Sequence, residues 1–126
     1  MSLHNLLGRE GERVAFAYLE QKGYRVLEKN WRYKHLEVDL IASNRREIVF
    51  VEVKTRSSNF IVSPLDSVDL TKRNNLLKAA NIYVRMNRIH LPIRFDIITA
   101  IYVPAQGIFE TEHYPNAFGV QAKTYR

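Results

Sequence analysis

Two stretches of the chain decide the fold: Glu37-Val-Asp-Leu-Ile-Ala42 and Ile48-Val-Phe-Val-Glu-Val-Lys-Thr55. Both are apolar runs of strand length, and only the polar segment 43–47 separates them. Such closely spaced strands predict an antiparallel hairpin. Burying charged side chains on strands of this kind carries a desolvation cost, so the charges within these two runs need an explanation.

The charged residues of the hairpin are expected to converge. Side chains alternate between the two faces of a strand, which places Glu52 and Lys54 on one face. If the turn centres between Arg45 and Arg46, Asp39 lies directly opposite Glu52, about 5 Å away. The hairpin then brings together two carboxylates and one lysine.

Two carboxylates this close repel each other unless a cation neutralises them. Lys54 does this in part, and a divalent cation does more, because one or two carboxylates with waters and substrate phosphates often hold Mg²⁺. A bound metal would polarise a phosphate oxygen and activate a water, while Lys54 could stabilise the transition state. The alternative is a structural salt-bridge ladder of Asp39, Lys54 and Glu52.

Outward from the hairpin, the pattern predicts further helices and strands. The periodicity indicates helices over Asn5–Lys22 and Thr71–Asn87, and strands over Tyr24–Leu27, Ile93–Val103 and Ile108–Tyr114. Gly8 and Gly11 fall on the buried side of the first helix, where another backbone could approach closely. The order of elements predicts an α/β (α+β) domain spanning residues 1–126, with a basic tail from about residue 116.

The composition narrows the function classes. The chain has 126 residues, a formal net charge of +6 and an isoelectric point near 9.7. Such a positive excess favours nucleic acid as the partner. The absence of cysteine excludes disulfides and a thiolate nucleophile, and it fits a reducing compartment. No segment has the pattern of a signal peptide or a membrane span, so we expect a cytoplasmic protein without membrane contact.

Several motifs resemble known nuclease families. Asp39 followed by Glu52-Val53-Lys54 resembles the PD-(D/E)xK nuclease superfamily. A wider set resembles the YraN family of small bacterial nuclease-like proteins, which is similar to archaeal Holliday-junction resolvases: Gly11-Glu12, Tyr18-Leu19, Gly23-Tyr24, Asn30-Trp31-Arg32, Glu37 to Ala42, Phe50 to Arg56 and Arg94-Phe95-Asp96. The similarity extends from about residue 8 to residue 103.

The resemblance implies a restriction-endonuclease-like core, in which helices flank a mixed central sheet, and a homodimer. It implies that Asp39 and Glu52 bind the metal, that Lys54 is the catalytic lysine, and that Glu12 completes the site. The helical phase agrees, since Glu12 borders the apolar face of the first helix whereas Glu10 points toward solvent.

The chain departs from the family pattern at two positions. Val38 replaces the proline that names the superfamily motif, and Leu36 stands where the YraN pattern usually has glycine. Glu37 matches the acid two residues before the aspartate, and it either holds a second metal or faces the loop.

Four basic residues are candidate nucleic-acid contacts: Arg32, Arg56, Lys72 and Arg73. Arg56 directly follows the second hairpin strand, and Arg32 lies in a segment that mixes basic and aromatic residues. Lys72 and Arg73 oppose the dipole of the second helix by roughly 0.3–1 kcal/mol each. With the helix N-terminus they could bind phosphate instead. The alternative for Arg56 is an ordinary solvated loop residue, and the alternative for the segment around Arg32 is that Trp31 and Tyr33 belong partly to the core.

The sequence thus predicts a Mg²⁺- or Mn²⁺-dependent endonuclease that hydrolyses phosphodiester bonds in nucleic acid, with DNA, branched DNA included, as the expected substrate. The alternatives are a nucleic-acid-binding module that keeps the fold without cleaving, and an interaction protein for an acidic partner. The four histidines, His4, His35, His90 and His113, lack zinc-ligand spacing, and Asp96 is predicted to be a buried structural acid outside the site.

Overall fold

The computed structural model describes residues 3–59 and 68–119, with side chains from residue 6 onward. In these ranges the elements follow in the order α1 (Leu3–Gln21), β1 (Arg25–Tyr33), β2 (Leu36–Ser43), β3 (Ile48–Ser57), α2 (Leu70–Met86), β4 (Ile93–Val103) and β5 (Ile108–Phe118). Both predicted helices and the hairpin strands are confirmed, and β4 begins and ends at the predicted residues.

The strands form one mixed sheet in the order β1-β2-β3-β4-β5. β3 and β4 pair in parallel, whereas the three other neighbouring pairs are antiparallel. Parallel strands need a crossover connection, and α2 lies within it. This α+β arrangement of a mixed sheet with two helices agrees with the predicted restriction-endonuclease-like core.

The hairpin of β2 and β3 has the predicted register. Leu40 pairs with Val51, and Ser43 pairs with Ile48, so the turn centres between Arg45 and Arg46. The pairing ends at Leu40 and Val51, and the next residues along, on the side away from the turn, lie side by side on the two strands. Those residues are Asp39 and Glu52.

The helix ends follow from local sequence. Gly23 follows α1, and its N–H donates to the Glu20 carbonyl. Its φ is +93°, a left-handed conformation that glycine adopts without strain. Asp69 caps α2 by accepting a hydrogen bond from the Lys72 N–H at 2.9 Å. Neither of these two helices is long and apolar enough to cross a membrane.

The sheet is covered on both faces. On the α1 side, Ala15 and Leu19 pack against Val49 and Val51 of β3. On the α2 side, a second core includes Phe50 of β3 with Leu36, Ile41, Leu76, Ala80, Tyr83 and Phe95. Because side chains alternate along β3, Glu52 and Lys54 follow Phe50 toward the α2 side.

Gly11 explains how closely α1 approaches β3. A Cβ atom at Gly11 would overlap the side chain of Thr55, so only glycine fits at this crossing. The prediction that Gly8 serves the same purpose is wrong, because a Cβ there would meet nothing within 4 Å.

The two edge strands are much longer than predicted. β2 and β3 exceed their predicted bounds by only one or two residues, so Arg56 lies in β3 and not after it. β1 continues through Tyr33 instead of ending at Leu27, with a bulge between Val26 and Glu28 and with Trp31 packed against the α2-side core. β5 continues to Phe118, so residues 116–118 are strand and not the start of a basic tail. Residues 120–126 of that predicted tail lie outside the described residues. Both strands are sheet edges, and exposed polar residues obscure their pattern.

Candidate active site

Asp39 lies where β2 and β3 stop pairing. The paired residues end at Leu40 and Val51, and beyond them the Val53 N–H donates to Asp39 Oδ2 at 2.8 Å. Val38 packs into the α2-side core and Leu40 into the α1-side core. Residues two apart in a regular strand share a face, so β2 is irregular at Asp39. The Asp39 carboxylate therefore reaches into the gap between the two strands.

Glu52 is almost completely buried, with 4% of its surface exposed. Lys54 Nζ lies 3.5 Å from its Oε2, and Lys72 Nζ, from the first turn of α2, lies 3.6 Å from its Oε1. The second contact is too long for a hydrogen bond, and within the described residues Oε1 accepts none. A buried carboxylate oxygen without a donor is unfavourable. Beyond its ion pair with Lys72, this oxygen can therefore accept a hydrogen bond or bind a cation.

The Asp39 carboxyl group is strongly perturbed. Burial, and then the negative charge of Glu52, raise the pKa of Asp39 from its ordinary value of 3.8 to about 7. The Val53 N–H and the Lys72 ammonium act in the opposite direction. The two carboxylates thus interact strongly enough that a proton or another cation is favoured between them.

Glu12 approaches the same site from α1. Burial, followed by the charge of Asp39, raises the pKa of Glu12, while a hydrogen bond from the Asn30 side chain lowers it. Asn30 lies in β1 with φ of +51°, a left-handed conformation that asparagine tolerates better than most residues. Asn30 was not predicted as a site residue. Its place in the Asn30-Trp31-Arg32 motif was the signal that could have identified it.

Glu37 and Arg32 face each other at the margin of the site. Arg32 Nη2 lies 3.4 Å from Glu37 Oε2, in an exposed pair of the kind that contributes little to stability. The charge of Glu37 also contributes, as the smallest cause, to the raised pKa of both Glu12 and Asp39. Glu37 therefore lies near the carboxylates, with Arg32 as its partner.

The other three candidate nucleic-acid contacts have different surroundings. Lys72 points to Glu52 in the site. Arg56 lines a cavity with Lys54 and donates to the Thr55 carbonyl at 3.0 Å. The Arg73 side chain contacts residues outside the candidate active site: its Nε donates to the Val68 carbonyl at 3.0 Å, and its guanidinium lies over the Phe118 ring.

The donor set fits a divalent metal ion in part. Among the described residues, no three carboxylate or imidazole groups are arranged to hold one ion by themselves. Mg²⁺ does not require three, because it usually keeps several waters and binds one or two carboxylates with substrate phosphates. Asp39 and Glu52 supply two carboxylates, and Glu52 Oε1 accepts no hydrogen bond. The residues present are therefore compatible with Mg²⁺ or Mn²⁺.

Asp96 belongs to a separate network, as predicted. It is fully buried, and Arg94 donates to both of its oxygens at 2.8 and 2.7 Å. His113 Nε2 lies 2.6 Å from Asp96 Oδ2, and His113 Nδ1 lies 3.1 Å from the Tyr18 hydroxyl. These contacts join α1, β4 and β5, so His113 and Asp96 have a structural role.

The mixed sheet, its two helices and the acids gathered beside β3 define an α+β protein with a restriction-endonuclease-like core. The model of the family described as "Uncharacterised protein family UPF0102" matches residues 11–100. The chain belongs to the UPF0102 family, which is the family that the YraN resemblance indicates.

Similar proteins span nearly the whole chain. A UPF0102 protein of Bacteroides thetaiotaomicron is 44% identical over 118 residues, which cover 94% of this chain and 96% of the relative. One from Parabacteroides distasonis is 47% identical with the same coverage. One from Flavobacterium psychrophilum is 46% identical, over 94% of this chain and 98% of its own. The shared region therefore includes all the candidate site residues.

Proposed function

We propose that this protein is a Mg²⁺- or Mn²⁺-dependent endonuclease of the PD-(D/E)xK type. Its substrate would be nucleic acid, specifically DNA, branched DNA included. The observation that carries the proposal is the pair of interacting carboxylates, Asp39 and Glu52, with a buried Glu52 oxygen that accepts no hydrogen bond. Two lysines beside the pair provide positive charge for a phosphate.

Asp39 and Glu52 would hold the metal ion, with Glu12 completing the site. When bound, the ion would polarise a phosphate oxygen and lower the pKa of a coordinated water. The irregular β2 strand aims the Asp39 carboxylate, because the Val53 N–H fixes its Oδ2. Asn30 orients Glu12 through its side-chain hydrogen bond. The raised pKa of Glu12, caused first by burial, makes its carboxylate a better proton acceptor than an ordinary glutamate.

The two lysines would act on the phosphate. Lys54 projects beside Glu52, where its ammonium stabilises the charge that develops on the phosphate oxygens during hydrolysis. Lys72 lies in the first turn of α2, so its ammonium and the helix N-terminus both favour an anion. To bind the substrate phosphate, Lys72 would leave Glu52. Because 38% of the Lys72 side chain is exposed, this change would need only a movement of the side chain.

A nucleic-acid-binding module with this fold is the second candidate. The ion pairs of Lys54 and Lys72 with Glu52 favour it, since they already neutralise part of the negative charge without a metal. Cleavage and binding must therefore be measured separately.

The test is a cleavage screen over duplex, single-stranded, flapped and four-way DNA with Mg²⁺ and with Mn²⁺. We expect Glu52→Gln and Lys54→Ala to reduce cleavage about 100-fold or more. In chelator, Glu52→Gln should bind DNA as tightly as the wild type or more tightly. Substitution removes a negative charge that repels phosphate and releases two lysines from their partner.

Glu110→Gln is the matched control, because it makes the same change at an exposed position on β5. It should leave cleavage unchanged. Metal-dependent cleavage that survives Glu52→Gln would overturn the assignment of Glu52. Binding without any metal-dependent cleavage by the wild type would establish the binding module instead.

A further inference from the structure

One face of α1 carries a stripe of residues that leads to the candidate active site. Arg9, Glu12, Arg13 and Phe16 follow each other at intervals of three, one and three residues, so they lie on neighbouring turns of the same face. With Lys29 and Asn30 of β1, they line a cavity of about 480 Å³ between the helix and the sheet edge.

A second cavity of about 480 Å³ lies on the other side of Glu12, where Lys54, Thr55 and Arg56 contribute to its lining. Glu12 lines both cavities, and its carboxylate interacts with that of Asp39. The two cavities therefore flank the candidate active site, with basic residues in each. We call the first, between α1 and β1, the α1–β1 groove.

The cations of the α1–β1 groove have few competing partners. Among the described residues, neither Arg9 nor Lys29 forms an ion pair with a carboxylate within 4.0 Å. Arg13 has one, with Glu10 at 3.9 Å, but the two side chains are 75% and 49% exposed and such pairs contribute little. Lys29 Nζ lies over the Phe16 ring, 5.4 Å from its centre. The groove thus combines three cations with one aromatic side chain.

We propose that the α1–β1 groove binds an unpaired nucleic-acid strand and guides it past Glu12. The proposal rests on the proposed function, since it assigns the path of the substrate. Arg9, Arg13 and Lys29 contact phosphates, and Phe16 provides an aromatic surface for a base.

The shape of the groove favours a single strand over a duplex. Proteins that bind unpaired strands use a basic groove with an aromatic side chain on which a base stacks. Proteins that read duplex DNA project a helix or a β-ribbon into its grooves. Here the cations line a concavity, and the aromatic side chain is among them. A strand that enters this groove has separated from its complement, as at a flap or a frayed junction.

The experiment measures binding in chelator, by fluorescence anisotropy, with a labelled single-stranded oligonucleotide and a blunt duplex of the same sequence. We expect Arg9→Ala/Arg13→Ala to weaken single-strand binding at least about 10-fold. The slope of log affinity against log salt should fall by about 1.4, since each phosphate contact on a single strand contributes about 0.7. Phe16→Leu should weaken single-strand binding about 5-fold or more, without affecting the duplex.

Arg85→Ala/Arg88→Ala is the control, because it removes two exposed cations near the end of α2. It should change single-strand affinity less than about 2-fold. Denaturant midpoints identify any groove variant that is misfolded, and Arg9→Gln/Arg13→Gln keeps more of the side-chain length if alanine disrupts α1. Equal losses for the groove and control variants, or equal losses for single strand and duplex, would overturn the proposal.

Binding in chelator separates this proposal from the nuclease assignment. Groove-dependent binding without any metal-dependent cleavage would contradict the proposed function and leave the groove in place. Cleavage by the wild type, with single-strand binding that the groove substitutions do not change, would contradict the groove and leave the nuclease in place.

Discussion

The surroundings of Asp39 disfavour the ionised form of its side chain. Its carboxyl group is buried beside Glu52, while the Val53 N–H fixes one oxygen. Folding therefore favours the protonated form of this acid over the ionised form. Strongly shifted pKa values are common at functional sites, because catalytic groups need pKa values matched to their reaction.

The pKa of Asp39 predicts a pH dependence of stability. In the folded protein it is raised to about 7, whereas the ordinary value is 3.8. The folded state keeps this proton to a higher pH than the unfolded state. The contribution of Asp39 to stability is therefore fully present below about pH 4 and is lost as the pH rises through about 7. Asp39→Asn cannot ionise and can still accept the Val53 N–H. We expect it to exceed the wild type in free energy of unfolding at pH 8, by on the order of 1–4 kcal/mol.

Urea unfolding in chelator at pH 4 and pH 8 measures this difference, which should be small at the lower pH. The predicted sign of this difference would be wrong if the wild type became more stable relative to Asp39→Asn on going from pH 4 to pH 8. Saturating Mn²⁺ at pH 8 should stabilise the wild type more than the variant if Asp39 is a metal ligand.

At the residue scale, the sequence was sufficient to predict contacts within the β2–β3 hairpin. Turn length was enough to place Asp39 beside Glu52, and strand alternation placed Lys54 on the same face as Glu52. The irregularity of β2 at Asp39, which lets its carboxylate accept from the Val53 N–H, was not predicted. The Lys72–Glu52 ion pair and the Asn30–Glu12 hydrogen bond were not predicted. They join elements far apart in the chain, and local periodicity carries no information about such contacts.

At the scale of elements, the crossing of α1 over β3 sets the position of Glu12. Gly11 directly precedes Glu12 and contacts the strand where Thr55 follows Lys54. The close approach of helix and strand therefore determines how far the Glu12 carboxylate lies from the other acids.

The two glycines of α1 provide a matched pair of substitutions. Gly11→Ala should lower the free energy of unfolding by roughly 1–3 kcal/mol, because the new methyl group overlaps Thr55 in a packed interface. Gly8→Ala should raise it by about 0.5–1 kcal/mol, since alanine favours the helix and its Cβ meets nothing within 4 Å. Chemical denaturation measures both.

Thr55→Ala combined with Gly11→Ala should recover part of the loss, because it removes the Oγ1 atom that the new Cβ would overlap most closely. Gly11→Ala with wild-type stability would show that α1 does not approach β3 as closely as described.

Sequence patterns located the buried elements better than the edges. The ends of β4 were predicted to the residue because its mostly apolar run lies between Pro92 and Pro104. β1 and β5 were predicted too short, since every second residue or more is polar or exposed on these edge strands. At the N-terminal end of α2, Asp69 and Thr71 were both plausible caps, and only the structure distinguishes them.

At the scale of the whole molecule, we propose a homodimer, following the resemblance to junction resolvases. A two-fold symmetric pair of sites suits a roughly two-fold symmetric DNA junction. Sedimentation velocity at micromolar concentration should therefore show twice the mass of the 14.8 kDa chain. A monomer over that range would exclude the junction-resolvase form of the proposal and leave the nuclease assignment intact.

The order of strands in the sheet has a consequence for synthesis on the ribosome. β2 and β3 are neighbours in the chain, whereas the parallel pairing of β3 with β4 closes a connection of 35 residues, from 58 to 92, that includes α2. Local contacts form faster than distant ones. A nascent chain can therefore assemble the acidic hairpin before α2 has emerged to bring Lys72 to Glu52. Until then, that carboxylate depends on Lys54 and on ions from solution to offset its charge.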